Sequence, residues 1–166
     1  MRLPGRPRRA ERPDLDVRRG ERLLAWTATS LGPVGGSRDA LYLPDGARVP
    51  WEQVEAATWD QDAGELVVRE VGTWGEPKPV HRMAVDEPGR LLQLVRERVT
   101  ASVVLTRYVE VAAGRGLRVV ARRAASGDRA LAWSYDLDEG LDPADPAVQE
   151  AAERCLAAAR SEVEPG

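Results

Sequence analysis

The chain has 166 residues and a net charge of −3, from 24 basic and 27 acidic residues, which argues against wholesale nucleic-acid binding. Its single cysteine, Cys155, excludes an internal disulfide and a cysteine-based zinc cage. No apolar run approaches the roughly 20 residues that a membrane-spanning helix needs. The length suits one domain, or two small units that share a core.

The N-terminal segment, residues 1–18, is rich in arginine and proline and carries few apolar side chains, so we predict a disordered basic tail. Acidic residues and prolines occupy the place where the apolar stretch of a signal peptide would lie, so we expect a cytoplasmic protein. The tail could contact anionic lipid or nucleic acid. Because Glu11, Asp14 and Asp16 dilute its charge, nucleic acid is not the expected partner.

Residues 22–85 alternate between short strand-like segments and turns rich in Gly, Pro and Asp. This pattern is typical of an antiparallel meander or small barrel. The predicted strands are 22–29, 40–43, 48–51, 53–59, 65–71 and 80–85. Residues 32–36 are predicted as a turn, and residues 44–46 close a hairpin.

The periodicity changes at Asp86, which is predicted to cap a helix whose first turn holds Glu87 and Pro88. Apolar residues then recur at helical spacing and predict a helix over 87–101. These residues are Leu91, Leu92, Val95 and Val99. Residues 102–109 fit either the end of this helix or a following strand.

The C-terminal region is predicted to hold strands at 117–121 and 130–135, followed by a last helix. That helix begins at 142–143 or at 145–146, because each Asp-Pro pair joins a capping residue to a proline at the first helical position. One apolar stripe predicts its buried face. The stripe is Val148, Ala152, Cys155, Leu156, Ala159 and Val163. On this stripe Cys155 is expected to be a buried, inert thiol.

A pleckstrin-homology-like (PH-like) fold has this element order, in which a series of antiparallel strands is followed by a helix. Segments 38–43, 48–55 (with Val-Pro-Trp-x-x-Val) and 64–68 resemble the short bacterial PH-like domains, and the whole chain resembles proteins of high-GC bacteria. The resemblance implies an α+β protein in which residues 20–101 form a PH-like antiparallel sheet or barrel capped by a helix. Residues 102–166 would add further β-strands and a C-terminal helix. The resemblance implies no functional residue.

Catalytic motifs are lacking in the sequence. His81 is the only histidine, so any mechanism that pairs histidine with serine or cysteine would have to use it. No serine lies in a Gly-x-Ser-x-Gly elbow, and no Gly-x-Gly-x-x-Gly loop is present to bind phosphate. We therefore expect neither an enzyme nor a bound cofactor.

Two acidic segments, 60–65 and 136–142, have the alternating carboxylates of calcium-binding loops. The position of the bidentate glutamate that would close each shell is occupied by Val71 or Ala147, which cannot ligate a cation. We predict a hairpin turn for the first segment and the lead-in to a helix for the second. A weak divalent site at 136–145 is the alternative.

Five tryptophans and no phenylalanine make the aromatic composition unusual. Four of the tryptophans are expected in the core or at sheet edges. Trp74 differs, because it lies in a Gly/Pro loop that offers nothing to bury it, and exposed loop aromatics often mark binding sites. We therefore predict a non-enzymatic interaction module that contacts a protein partner through Trp74 and Pro77. The alternative is an anionic-surface binder that acts through the arginine tail, and the oligomeric state is left open.

Overall fold

The computed structural model describes residues 12–164 and shows a mixed α+β protein with three antiparallel sheets and two helices. The first sheet has four strands in sequential order: β1 (Ala25–Thr29), β2 (Gly32–Gly36), β3 (Ala40–Tyr42) and β4 (Arg48–Pro50). A short 3-10 helix at Trp51–Gln53 leads into the second sheet. Its three strands are β5 (Val54–Asp60), β6 (Glu65–Glu70) and β7 (Val80–Ala84).

The remaining elements are a helix, a third sheet and a second helix. The first helix is α1 (Gly89–Ser102). The third sheet has the order β10-β9-β8, and its strands are β8 (Val103–Ala112), β9 (Arg115–Arg123) and β10 (Leu131–Leu137). The second helix is α2 (Pro146–Val163). Neither helix within residues 12–164 combines the length and the apolar character needed to cross a bilayer.

One hydrophobic core lies between the first two sheets and α1. Its buried side chains come from all three elements, with Leu41, Trp51, Leu66, Val68, Met83, Leu91 and Val95 among them. The predicted apolar face of the helix at Leu91, Leu92 and Val95 is therefore confirmed as buried. The two sheets meet where the Ser30 N–H donates to the Ala84 carbonyl oxygen at 2.9 Å.

Residues 32–36 form β2, and the prediction of a turn there was wrong. The turn lies at residues 30–31, and β2 pairs with both β1 and β3. The glycines of β2 bring its backbone close to the core, because a Cβ added to Gly36 would lie 2.7 Å from the Leu94 side chain. Glycine here marks a close approach of the backbone rather than a break in the strand.

Three local predictions were settled by the observed helix ends. The helix begins at Gly89, and Pro88 occupies the N-cap position without a side-chain cap, so the predicted cap at Asp86 was wrong. The second helix begins at the later of its two Asp-Pro pairs, where the Asp145 carboxylate accepts a hydrogen bond from the Ala147 N–H at 2.9 Å. The undecided segment 102–109 belongs almost entirely to strand β8.

A second hydrophobic cluster lies between the third sheet and α2. Its buried members are Leu117, Val119, Val148, Ala151, Ala152 and Ala159. The predicted apolar stripe of α2 therefore packs as expected at Val148, Ala152 and Ala159. Cys155 packs at the edge of this cluster and is half-buried, so the prediction of a buried thiol was too strong. Its Sγ lies 4.0 Å from the Arg107 carbonyl oxygen.

Residues 12–18 form neither helix nor strand, and they lie beside the first sheet. The Leu15 side chain lies next to Gly35 of β2, and the Arg18 N–H donates to the Tyr42 hydroxyl oxygen at 3.1 Å. The other part of the predicted tail, residues 1–11, lies outside the described residues. Disorder over 1–18 stays a prediction, which backbone NMR tests.

A charged cluster anchors the chain where it enters the first sheet. The Glu21 carboxylate accepts hydrogen bonds from the Tyr42 hydroxyl and from Arg48, whose Nε lies 3.2 Å from Glu21 Oε2. The hydrogen bond from Arg48 is the main reason that the pKa of Glu21 lies below its ordinary value, although burial opposes this shift. The cluster therefore stabilises the fold more when Glu21 is ionised than when it is protonated.

Replacing Glu21 by Gln is expected to lower the free energy of unfolding by about 1 kcal/mol at pH 7. Because the folded-state pKa is depressed, this contribution is present above the unfolded pKa of about 4.3 and is lost as the pH falls through the folded value. Urea unfolding of both proteins across acid pH measures it. Glu150→Gln, on the exposed face of α2, is the control; a difference between Glu21→Gln and wild type that does not change with pH would contradict the assignment.

Candidate interaction groove

The loop between β6 and β7 crosses the outer edge of β10; we call residues 72–78 the clasp loop. On the α2 side of the third sheet, the Trp74 ring packs edge-on against Tyr135, with ring centroids 5.0 Å apart. The indole N–H of Trp74 donates to the Pro143 carbonyl oxygen at 3.2 Å. Trp74 is therefore half-buried, and the structure supplies the partners that the sequence did not reveal.

On the opposite side of the third sheet, Lys78 fixes the far end of the clasp loop. Its ammonium group lies 2.7 Å from Asp136 Oδ1 on β10 and also contacts the Glu55 carboxylate on β5. Burial is the largest single influence on the pKa of Lys78 and lowers it, but the hydrogen bonds and the negative charges of Asp136 and Glu55 together raise the pKa above its ordinary value. Lys78 is thus a cation that joins the second and third sheets, and not a neutral amine.

Arg122 lies on the same face of the third sheet and is only 6% exposed. Its Nη1 donates to the Ser134 hydroxyl at 3.0 Å. Burial lowers the pKa of Arg122, while the charges of Glu55 and Asp136 act in the opposite direction. Lys78 therefore joins the second and third sheets by ion pairs, whereas the hydrogen bond of Arg122 lies within the third sheet.

Between the clasp loop and β10 lies a groove of about 730 Å³. One wall is residues 72–78, the other is residues 133–139, and Gly140, Leu141 and Pro143 close one end. Four carboxylates line the groove against one ammonium group. They are Glu76, Asp136, Asp138 and Glu139. Asp136 and Asp138 pair with cations, whereas Glu76 and Glu139 make no ion pair within residues 12–164. The groove is therefore acidic.

Strand β10 is an edge strand whose only strand partner in residues 12–164 is β9. Its groove-facing edge runs beside the clasp loop. Edge strands present backbone N–H and C=O groups to any chain that lies alongside them. The groove therefore combines backbone hydrogen-bonding groups with aromatic and acidic side chains.

Both residues predicted to contact a partner, Trp74 and Pro77, lie in the wall of this groove. Sequence reasoning did not find Tyr135, nor the ion pairs of Lys78 with Glu55 and Asp136. The available signal was Lys78 itself, the only lysine in a chain whose other basic residues are arginines. Its partners lie 23 and 58 residues away in the chain, and no local pattern reports a contact over that separation.

The other candidate residues have local roles. His81 Nε2 lies 2.6 Å from Glu70 Oε2 on the neighbouring strand. The acidic segment at 60–65 forms the predicted hairpin turn, because Asp60 Oδ1 accepts hydrogen bonds from the N–H groups of Asp62 and Ala63. Over residues 12–164, no three His, Cys, Asp or Glu side chains are grouped so that they could hold a metal ion.

The groove has features of a recognition site: a strand edge without a second strand partner within the described residues, aromatic walls and a net negative lining. No nucleophile paired with a base is found among the side chains that line it. The chain matches no protein-family model, no curated protein sequence and no solved structure, so the geometry of the groove is the basis for assigning a function.

Proposed function

We propose that the chain is a non-enzymatic interaction module that binds an extended, basic segment of a protein partner in the groove. The observation that carries the proposal is the acidic groove lined by Trp74 and Pro77, which runs along β10 on the edge that has no second strand partner within residues 12–164. A strand added to such an edge gains backbone hydrogen bonds, and the flanking pockets give specificity for its side chains.

The charge of the groove indicates that the partner segment is basic. Glu76 and Glu139 have exposed carboxylates, and neither has an ion-pair partner within the described part of the chain. An arginine or lysine of the incoming segment would pair with them, and its aliphatic stem would pack on the Trp74 ring. An acidic segment would be repelled by the same lining.

The architecture supports a PH-like assignment for residues 20–101 as part of this proposal. A four-stranded and a three-stranded antiparallel sheet enclose one core, and α1 packs across it. In this arrangement the clasp loop connects β6 to β7 and projects from the second sheet toward the appended third sheet. The interaction site is thus formed jointly by the PH-like unit and the segment 102–166.

Binding is tested with matched sets of short synthetic peptides, one rich in arginine and one in glutamate, by fluorescence polarisation. We expect the arginine-rich set to bind, and Trp74→Ala to weaken it at least about tenfold, since central aromatic residues often contribute about 2 kcal/mol or more. Trp26→Ala is the control, because Trp26 is 41% exposed on β1 and lies outside the groove.

A second variant separates lost binding from lost packing. Glu139 is exposed, so Glu139→Lys should leave the fold intact, weaken the arginine-rich set and strengthen the glutamate-rich set. The proposal is wrong if the arginine-rich peptides do not bind, or if Trp74→Ala and Glu139→Lys bind them as tightly as wild type.

A further inference from the structure

A second concavity, with the opposite charge, lies where the first sheet, α1 and the third sheet meet. It is a pocket of about 190 Å³ that shares no lining residue with the groove. Four arginines from separate parts of the chain line it, together with Trp51, Ser102 and three alanines. The arginines are Arg38, Arg98, Arg123 and Arg129. They come from the β2–β3 turn, α1, the end of β9 and the β9–β10 turn.

No carboxylate lines this pocket, and none of its four arginines makes an ion pair within residues 12–164. Other arginines in this part of the chain do form ion pairs, as Arg48 does with Glu21 and Arg107 does with Glu162. The nearby carboxylate of Asp39 accepts a hydrogen bond from the Ser126 hydroxyl at 2.6 Å. The pocket is therefore lined by four arginines, and none of them forms an ion pair within the described residues.

Arg123 gives a second, independent indication of a ligand. Its Nε is buried and has no hydrogen-bond partner among the described residues. A buried donor left without an acceptor costs about 1–3 kcal/mol, and more for a charged group. An oxyanion in the pocket would supply the acceptor, because a guanidinium fork matches the oxygens of a phosphate group.

One feature of the pocket opposes an anion. The carboxyl end of α1 lies at Ser102, and a helix carries about half a negative charge at that end. The Ser102 hydroxyl donates to the Val99 carbonyl oxygen at 2.7 Å, so it is already engaged. Four full positive charges exceed the partial negative charge of the helix, and the pocket remains attractive to anions.

We infer that this pocket binds a phosphate group, as part of a small phosphorylated molecule or of a lipid head group. The size supports this ligand class, since pockets for drug-sized ligands usually measure about 300–1,000 Å³ and this one is smaller. A phosphate or diphosphate group fits such a pocket while the remainder of the molecule stays outside. This site is independent of the proposed protein-binding groove.

The test is calorimetric titration of the full-length protein with inorganic pyrophosphate at low salt. We expect binding that weakens as salt is added. Arg98→Met and Arg123→Met should each reduce the affinity at least about tenfold, which corresponds to about 1.4 kcal/mol. Arg82→Met is the matched control, because this exposed arginine lies on β7, away from the pocket.

A parallel arm uses vesicles made of equal parts phosphatidylcholine and phosphatidic acid. Binding to the vesicles alone, lost in Arg98→Met, would assign the phosphate to a lipid head group. Binding to pyrophosphate alone would assign it to a soluble molecule. The inference is overturned if neither probe binds, or if binding is unchanged in both Arg98→Met and Arg123→Met.

Discussion

Trp51→Ala is expected to lower the free energy of unfolding by about 3–5 kcal/mol, a large part of the 5–15 kcal/mol typical of a natural domain. Trp51 is 1% exposed and is the largest fully buried side chain of the core between the first two sheets. Its indole N–H donates to the buried Ser37 carbonyl oxygen at 3.0 Å. The substitution therefore creates a cavity and leaves that carbonyl without its donor.

Urea unfolding followed by circular dichroism measures this loss. Trp51→Phe keeps an aromatic ring and removes only the N–H donor with part of the volume, so its loss should be smaller than that of Trp51→Ala. The control is Trp26→Ala, which removes a partly exposed ring and should change stability much less. Equal stability of the Trp51→Ala and Trp26→Ala proteins would show that Trp51 does not organise the core.

Lys78→Met is expected to lower the free energy of unfolding by roughly 2–3 kcal/mol at pH 7. Methionine keeps a chain of similar length but removes the cation shared by Glu55 and Asp136. Glu55 would then be partly desolvated without an ion-pair partner within residues 12–164, and Asp136 would keep only its longer contact with Arg118, at 3.7 Å. Because Lys78 and Asp136 are partly exposed, the loss stays below the 3–5 kcal/mol typical of a broken, fully buried pair.

The matched control is Arg154→Met, which breaks an exposed pair with Glu150 on α2 and should cost about 0.5 kcal/mol or less. Adding Glu55→Gln to Lys78→Met should recover part of the stability, because it removes the carboxylate charge that Lys78→Met leaves without a partner in the described part of the chain. Losses of the same size in Lys78→Met and Arg154→Met would contradict the role given to Lys78.

The ion pairs of Lys78 also predict that its contribution to stability decreases at alkaline pH. The folded-state pKa of Lys78 is raised, so its contribution is fully present below the unfolded pKa of about 10.4 and is lost as the pH rises through the folded value. The difference in the free energy of unfolding between wild type and Lys78→Met should therefore shrink as the pH rises above the unfolded pKa. A difference that stays constant up to strongly alkaline pH would show that packing, and not charge, is responsible.

Local sequence patterns were sufficient for several elements of this fold. The turn at 44–46 and the Asp60 turn were predicted because Pro, Asp and Gly favour those conformations by themselves. The packed faces of α1 and α2 were predicted because apolar residues repeat at the helical period. The mixed α+β class follows from these elements, since each depends on residues close together in the chain.

Tertiary structure decided the features that depend on distant residues. Residues 32–36 form a strand because β1 and β3 pair with them, and Val103–Ala112 forms a strand because β9 lies alongside it. Trp74 is half-buried because Tyr135 and Pro143 approach it from the far end of the chain. The groove and the arginine pocket each combine segments separated by dozens of residues. Sequence periodicity reports which face of an element is apolar, but the partner that covers this face is determined only when the whole chain packs.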